Sequence, residues 1–135
     1  MKAITFNNDI KVFYITAASY PEGIMDAHEK LHALIPFSTD RKFFGISRPE
    51  NGEIVYRAGV EEDSPGEANK FKCNTLILKK GNYSCITIRD YKQNLNAIAE
   101  TFETLLKQPN LDPVGYCVEW YFNDKDVRCM IRLEE

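Results

Sequence analysis

Residues 115–122 read Gly-Tyr-Cys-Val-Glu-Trp-Tyr-Phe, the clearest strand-like run in the chain. Successive side chains of a strand point to opposite faces, so Cys117, Glu119 and Tyr121 share one face. The residues of the other face are aromatic or aliphatic and predict a core face: Tyr116, Val118, Trp120 and Phe122. The first face instead carries a carboxylate beside an aromatic ring, in a stretch with no other charge.

A carboxylate in the middle of such a strand is costly unless a partner satisfies it. One interpretation is that Glu119 points to solvent, or pairs with Arg128 or Arg132 on the following strand. The other is that Glu119 is a pocket acid, ringed by aromatic side chains, that binds a cationic or hydrogen-bonding ligand. The strand alone leaves both interpretations open.

Outward from this strand, the chain predicts the same order of elements twice: strand, helix, strand, strand. The spacing of apolar and turn residues predicts strands at 10–18, 43–47, 54–61, 71–79, 83–90, 115–122 and 127–133, helices at 19–35 and 94–107, and a loop at 62–70. Ser19 is the expected N-cap of the first helix. The prediction is one domain over 1–135 with halves at 10–61 and 71–135. The fold class is α+β: an antiparallel sheet with two helices and a central cleft where the halves meet.

Composition excludes several classes of function. The chain has 135 residues and a net charge of -3, which gives no clustered basic surface for nucleic acid. No apolar run is long enough to span a bilayer, and no secretory signal is convincing. The four cysteines form no C-x-x-C pair, so we expect buried, reduced thiols and a cytoplasmic location. No cofactor is expected.

A second motif suggests metal chemistry. Residues 28–32 read His-Glu-Lys-Leu-His, which matches the H-E-x-x-H pattern of zinc peptidases on a predicted helix. The chain has only two histidines, so a three-histidine site cannot form. On a helical wheel His28 lies at the edge of the apolar arc, His32 lies further out, and Glu29 points to solvent. We therefore expect His28 to flank the core and His32 to lie at the surface, with no metal.

Several short motifs occur together in a characteristic order: Phe44-Gly45-Ile46-Ser47, Tyr56-Arg57-Ala58-Gly59-Val60-Glu61, Gly81-Asn82-Tyr83, Asp112-Pro113-Val114-Gly115 and Glu119-Trp120-Tyr121. In this arrangement the chain resembles the gyrase-inhibitor-like family, the small-molecule effector-binding domains of bacterial transcription activators. The resemblance implies a duplicated fold whose central cleft holds an acid, and Glu119 matches that acid. Aromatic residues usually surround the cleft, and the matching motifs contain four: Phe44, Tyr56, Tyr83 and Tyr121.

The resemblance leaves three classes of function open. The first, which we favour, is a stand-alone cytoplasmic domain that binds a small aromatic or cationic molecule, as in multidrug binding, with Glu119 as the anchor. No helix-turn-helix precedes the strand expected at Ile10, so we expect no direct DNA binding. The second is a cleft hydrolase of reactive electrophilic small molecules that uses Glu119, or, as a weaker candidate, a zinc peptidase that uses His28, Glu29 and His32. The third is an interaction module that inhibits another protein.

Overall fold

The computed structural model describes residues 1–134, which fold around a curled, antiparallel sheet of eight strands. The α+β prediction is confirmed. The strands are β1 (Lys2–Phe6), β2 (Ile10–Thr16), β3 (Phe43–Glu50), β4 (Glu53–Glu61), β5 (Asn74–Leu78), β6 (Gly81–Ile88), β7 (Cys117–Trp120) and β8 (Val127–Arg132). The helices are α1 (Ile24–Leu34), the short α2 (Glu67–Lys70) and α3 (Asn96–Leu105), and a 3₁₀ turn spans Tyr91–Gln93.

The strand order is β1-β6-β8-β7-β3-β4-β2-β5, and it displays the duplication directly. In one half β4 lies between β2 and β3, and in the other half β8 lies between β6 and β7. The halves meet where β3 pairs with β7. The two edge strands pair across the halves: β1 pairs with β6, and β5 pairs with β2.

The two longer helices cover separate halves of one face of the sheet. Helix α1 packs on β2 and β4, where Ala27 and Leu31 are buried. Helix α3 packs on β6 and β8 through Phe102 and Leu105. These residues recur at helical spacing, so each helix buries one apolar face against the sheet. The central strands β3 and β7 therefore lie under the space between the two helices.

The opposite face of the curled sheet holds a second apolar core. It contains residues from seven of the strands: Phe6, Ile10, Val12, Phe44, Ile46, Leu78, Tyr83, Cys85, Val118 and Met130. The strand alternation predicted for residues 116–122 agrees with this arrangement, since Val118 lies in this core and Cys117 packs on the side of α3. Both faces of the central strands are thus buried.

Three local predictions are wrong. Strand β1 precedes the expected first strand and was not predicted. The polar residues Asn7, Asn8 and Asp9 form the loop between β1 and β2, and they leave only a short apolar run before them. Helix α1 begins at Ile24 rather than after Ser19, whose carbonyl instead accepts a turn hydrogen bond from the Gly23 amide at 3.1 Å. The expected loop at 62–70 contains α2, which an Arg41–Glu67 ion pair of 2.7 Å holds in place.

The remaining strands and helix α3 lie where the sequence predicts them, with ends that differ by a few residues. All four cysteines are free thiols. Among residues 1–134, no helix is both long and apolar enough to cross a bilayer.

Candidate functional site

Glu119 lies at the centre of the sheet, where the two halves join. It is the third residue of β7 and sits directly opposite Gly45 of β3. Its side chain points to the helix face and is only 7% exposed. A Cβ atom on Gly45 would stand 2.6 Å from Glu119 Oε1, so the absence of a side chain at Gly45 makes room for the carboxylate.

Two tyrosine hydroxyls bind this carboxylate. Tyr56 of β4 donates a hydrogen bond of 2.8 Å to Glu119 Oε1, and Tyr121, just after β7, donates a short hydrogen bond to the same oxygen. Within residues 1–134 we find no hydrogen bond to Oε2 and no lysine or arginine in salt-bridge contact with Glu119. The buried carboxylate is therefore contacted by neutral donors at one oxygen, while the other keeps its capacity to accept.

The arginines proposed as partners are engaged elsewhere. The Arg128 guanidinium lies 4.0 Å from the ring centroid of Phe122 and 4.8 Å from that of Trp120, whose side chain faces the other side of the sheet. Arg132 forms an ion pair of 3.1 Å with Asp112. The interpretation of Glu119 as a surface residue or as half of a cross-strand ion pair is wrong.

His28 extends the network from the helix side. Its Nε2 lies 2.7 Å from the Tyr56 hydroxyl, and its ring meets those of Tyr56 and Tyr121 edge-on at 5.7 and 5.4 Å. The motif at residues 28–32 predicts a His28 that flanks the core or, as the weaker alternative, binds zinc, and it does not assign His28 to the acid site. The sequence feature that could have indicated this contact is the position of His28 at the edge of the apolar arc of α1, which faces the sheet.

Two further tyrosines complete the aromatic surround. Tyr20 stacks on Tyr56 with ring centroids 6.3 Å apart and is 44% exposed, so it lies at the outer edge of the site. Tyr91, from the 3₁₀ turn before α3, packs against Tyr121 at 5.3 Å. The carboxylate is thereby covered by rings that come from both halves of the chain.

Burial sets the proton affinities at the site. It raises the pKa of the Glu119 carboxyl, and the hydrogen bonds from Tyr121 and Tyr56 offset part of that rise. Burial, together with the charge of Glu119, raises the pKa values of the Tyr56 and Tyr121 hydroxyls well above the usual range. Burial, and secondarily the proximity of His32, lowers the pKa of His28 to about 4. At neutral pH the imidazole and both hydroxyls are uncharged.

The structure brings three of the five candidate binding residues together: Glu119, Tyr56 and Tyr121. Phe44 and Tyr83 belong to the core on the other side of the sheet. Phe44 precedes Gly45 on β3, so strand alternation turns it away from Glu119. The Tyr83 hydroxyl donates to the Lys79 carbonyl at 2.6 Å. Phe44 and Tyr83 therefore lie apart from the site around Glu119.

The H-E-x-x-H residues are not arranged as metal ligands. The Nε2 of His28 is bound to Tyr56, and Glu29 is exposed on the outer side of α1. His32 is half-buried rather than at the surface, with its ring 5.3 Å from Phe43. In the described part of the chain, no group of three His, Cys, Asp or Glu side chains is placed to hold a metal ion.

Two cavities open elsewhere on the molecule, with volumes of about 240 and 250 Å³. The first lies beside Tyr83 and Tyr116 on the other side of the sheet, and the second lies near α2. Neither includes Glu119. In this structure the aromatic side chains close over the carboxylate.

Comparison with known proteins identifies the fold through structure alone. No family model matches the chain, and no curated protein matches its sequence. An integron cassette protein from the mobile metagenome of Vibrio cholerae superimposes with a TM-score of 0.72 at 13% identity, over 98% of this chain and 95% of that one. SAV2435, solved bound to tetraphenylphosphonium, superimposes with a TM-score of 0.65 at 11% identity, over 97% and 93%. The chain is similar to both over nearly its whole length.

Proposed function

We propose that this protein binds a small lipophilic or aromatic cation between α1 and α3, with Glu119 as the anionic anchor. The observation that carries the proposal is a buried carboxylate with no cationic partner among residues 1–134. Burying a carboxylate without a counter-charge costs several kcal/mol, so the group favours its protonated form until an incoming cation offsets part of that cost. Glu119 lies where the two halves join, and side chains from both halves surround it.

The side chains around Glu119 suit such a ligand. Aromatic rings attract cations through their π faces, and a delocalised cation loses little hydration when it enters a pocket lined by rings. Tyr20, Tyr56, Tyr91 and Tyr121 provide such rings within one cluster. Since these side chains fill the site, we expect the ligand to enter by displacing the exposed ring of Tyr20. The similarity of fold to SAV2435, which was solved with a lipophilic cation, supports this class of ligand.

Isothermal titration with tetraphenylphosphonium tests the proposal. We expect binding to the unaltered protein, and an affinity at least about tenfold lower in Glu119→Gln, because a tenfold change corresponds to the loss of about 1.4 kcal/mol of charge interaction. Glu29→Gln is the matched control, since Glu29 is exposed on the outer side of α1. Triphenylphosphine oxide, which has similar rings but no net charge, should bind weakly to all three. Equal affinity of tetraphenylphosphonium for Glu119→Gln and the unaltered protein would refute the anchor.

A hydrolase is the second candidate, because hydroxyls and a carboxylate converge at one point. Tyr121 or Tyr56 would protonate the oxygen of a strained electrophile such as an epoxide, while Glu119 removes a proton from the attacking water. The carbon–oxygen bond of the ring breaks as the new bond to water forms, and the product is a diol. The proton taken by Glu119 then returns to the tyrosine oxygen along the hydrogen bond between them. Diol formation from styrene oxide that is lost in both Glu119→Gln and Tyr121→Phe would favour this function; turnover that persists in Glu119→Gln would exclude it.

The wider proposal is a single gyrase-inhibitor-like effector-binding domain over 1–135, with halves at 10–61 and 71–135, that acts in the bacterial cytoplasm without contacting DNA itself. The pairing of β3 with β7 supports two equivalent halves, because it joins them along one seam. The net charge of -3 supports the absence of a DNA-binding surface.

A further inference from the structure

The Tyr56 hydroxyl has one proton to donate and lies between Glu119 and His28, with the Tyr121 hydroxyl also beside it. It lies 2.8 Å from Glu119 Oε1 and 2.7 Å from His28 Nε2. When Glu119 is ionised, its oxygen can only accept, so the tyrosine proton points to the carboxylate. The hydroxyl oxygen must then accept from His28, which requires the tautomer of the neutral imidazole that carries its proton on Nε2.

This arrangement forms a directed chain of donors: the His28 N–H to the Tyr56 oxygen, and the Tyr56 O–H to the carboxylate. Hydrogen bonds in a chain polarise one another, so a donor behind Tyr56 strengthens the bond that Tyr56 gives to Glu119. Hydrogen bonds to the charged form of an acid favour that form. His28 thus acts on the carboxyl without touching it.

We propose that cation binding over Glu119 releases one proton, and that His28, acting through Tyr56, is the positioning residue that sets the pH at which this release occurs. The inference rests on the proposed function and adds the charge state of the anchor. In the free site the carboxyl holds its proton more tightly than an exposed glutamate does. On binding, the O–H bond of the carboxyl breaks, its proton passes to buffer, and the carboxylate pairs with the cation.

Other titratable groups face Glu119 and must be separated from this effect. They are Tyr20 before α1, Tyr91 before α3, Cys117 on β7 and Cys129 on β8. Burial raises the pKa of each of these four groups, that of Cys117 to about 11, so all of them stay neutral and protonated near pH 7. His32 stacks on His28 with centroids 6.2 Å apart and is the remaining imidazole. It provides the matched control.

The test is titration calorimetry with tetraphenylphosphonium from roughly pH 5 to pH 9, each pH in two buffers of different ionisation enthalpy. This probe carries a permanent charge, so any pH dependence belongs to the protein. We expect the affinity to rise up to about tenfold per pH unit while Glu119 is protonated and then to level off, with up to one proton released on the rising limb. In Glu119→Gln the affinity should be low and independent of pH.

The variants of α1 isolate the role of His28. In His28→Leu the affinity should level off at a higher pH than in the unaltered protein, because the carboxylate has lost the donor behind Tyr56. In His28→Gln, whose amide retains a donor, the pH at which the affinity levels off should lie between that of His28→Leu and that of the unaltered protein. In His32→Leu this pH should be unchanged. A purely structural role for His28 would alter the overall affinity but not this pH.

A measurement without ligand separates the two ideas. The ¹³C signal of the Glu119 carboxyl in the free protein should titrate at a higher pH in His28→Leu, and long-range ¹H–¹⁵N spectra above that pH should show the His28 proton on Nε2. If tetraphenylphosphonium binds through Glu119 but neither the carboxyl midpoint nor the levelling pH moves in His28→Leu, the inference fails alone. If tetraphenylphosphonium binds at no pH, the proposed function fails and the coupled release with it, whatever the free carboxyl shows.

Discussion

Gly45→Ala is the substitution for which the site makes the sharpest prediction. A Cβ atom on Gly45 would lie 2.0 Å from the Tyr56 hydroxyl oxygen and 2.6 Å from Glu119 Oε1, far inside ordinary contact distance. The backbone of β3 is hydrogen-bonded on both sides, to β4 and to β7, and cannot retreat cheaply. The side chains must move instead, and the Tyr56 hydroxyl then leaves both Glu119 and His28.

The expected cost follows from the bonds that are lost. Leaving a buried acceptor without its donor costs about 1–3 kcal/mol, and Tyr56 serves two partners, so we expect the free energy of unfolding to fall by about 3 kcal/mol. For a domain of this size, such a change lowers the melting temperature by about 10 °C. The pKa of Glu119 should rise further, because one of its two stabilising hydroxyls is gone.

Urea unfolding of a double-mutant cycle tests this reasoning. In a Tyr56→Phe background the hydroxyl is absent, so the 2.0 Å clash disappears, while the ring carbon at 2.8 Å and Glu119 Oε1 still resist the new methyl group. Gly45→Ala should therefore cost less in that background, by at least about 1 kcal/mol. If it costs the same with and without the hydroxyl, or costs almost nothing, the assignment of Gly45 as the space for the network is wrong.

Three further predictions concern pH and packing. Because the folded-state pKa of His28 is lowered from 6.5 to about 4, stability is lost as pH falls through that window; His28→Leu should remove about 3 kcal/mol of this acid sensitivity in urea titrations. Because the folded-state pKa of Glu119 is raised, stability falls as pH rises from the ordinary glutamate range through the folded value. Glu119→Gln should therefore gain melting temperature relative to the unaltered protein as pH rises, and a constant difference would contradict the raised pKa. Leu31→Ala, in the core under α1, should cost about 2–5 kcal/mol at every pH and so serves as a reference without titration.

Except for β1 and the short α2, the order of elements could be predicted from the sequence, because it depends on local periodicity. Glu119 was a candidate for a similar reason: strand alternation put it beside Tyr121, and an isolated charge among apolar residues stands out. The wrong helix start at Ser19 also has a local cause. A serine, a proline and a glutamate at capping distance are typical of a helix N-terminus, but here the same residues form a turn that precedes the helix.

The partners of Glu119 could not be predicted in the same way. Tyr56 is 63 residues from Glu119 along the chain, and His28 is 28 residues from Tyr56. Their meeting depends on strand register across β4, β3 and β7 and on the placement of α1 over the sheet. Phe44 and Tyr83 occupy motifs as suggestive as that of Tyr56, yet they point to the other core.

By itself, the sequence determined the α+β class and the strand–helix–strand–strand order within each half, and it singled out Glu119 as a candidate, because each follows from side-chain periodicity within a few residues. The tertiary structure alone decided that Gly45 faces Glu119, that two tyrosines bind one carboxylate oxygen, and that His28 stands behind one of them. The physical reason is that these contacts join residues of different strands and a helix, and only the packed sheet fixes their distances.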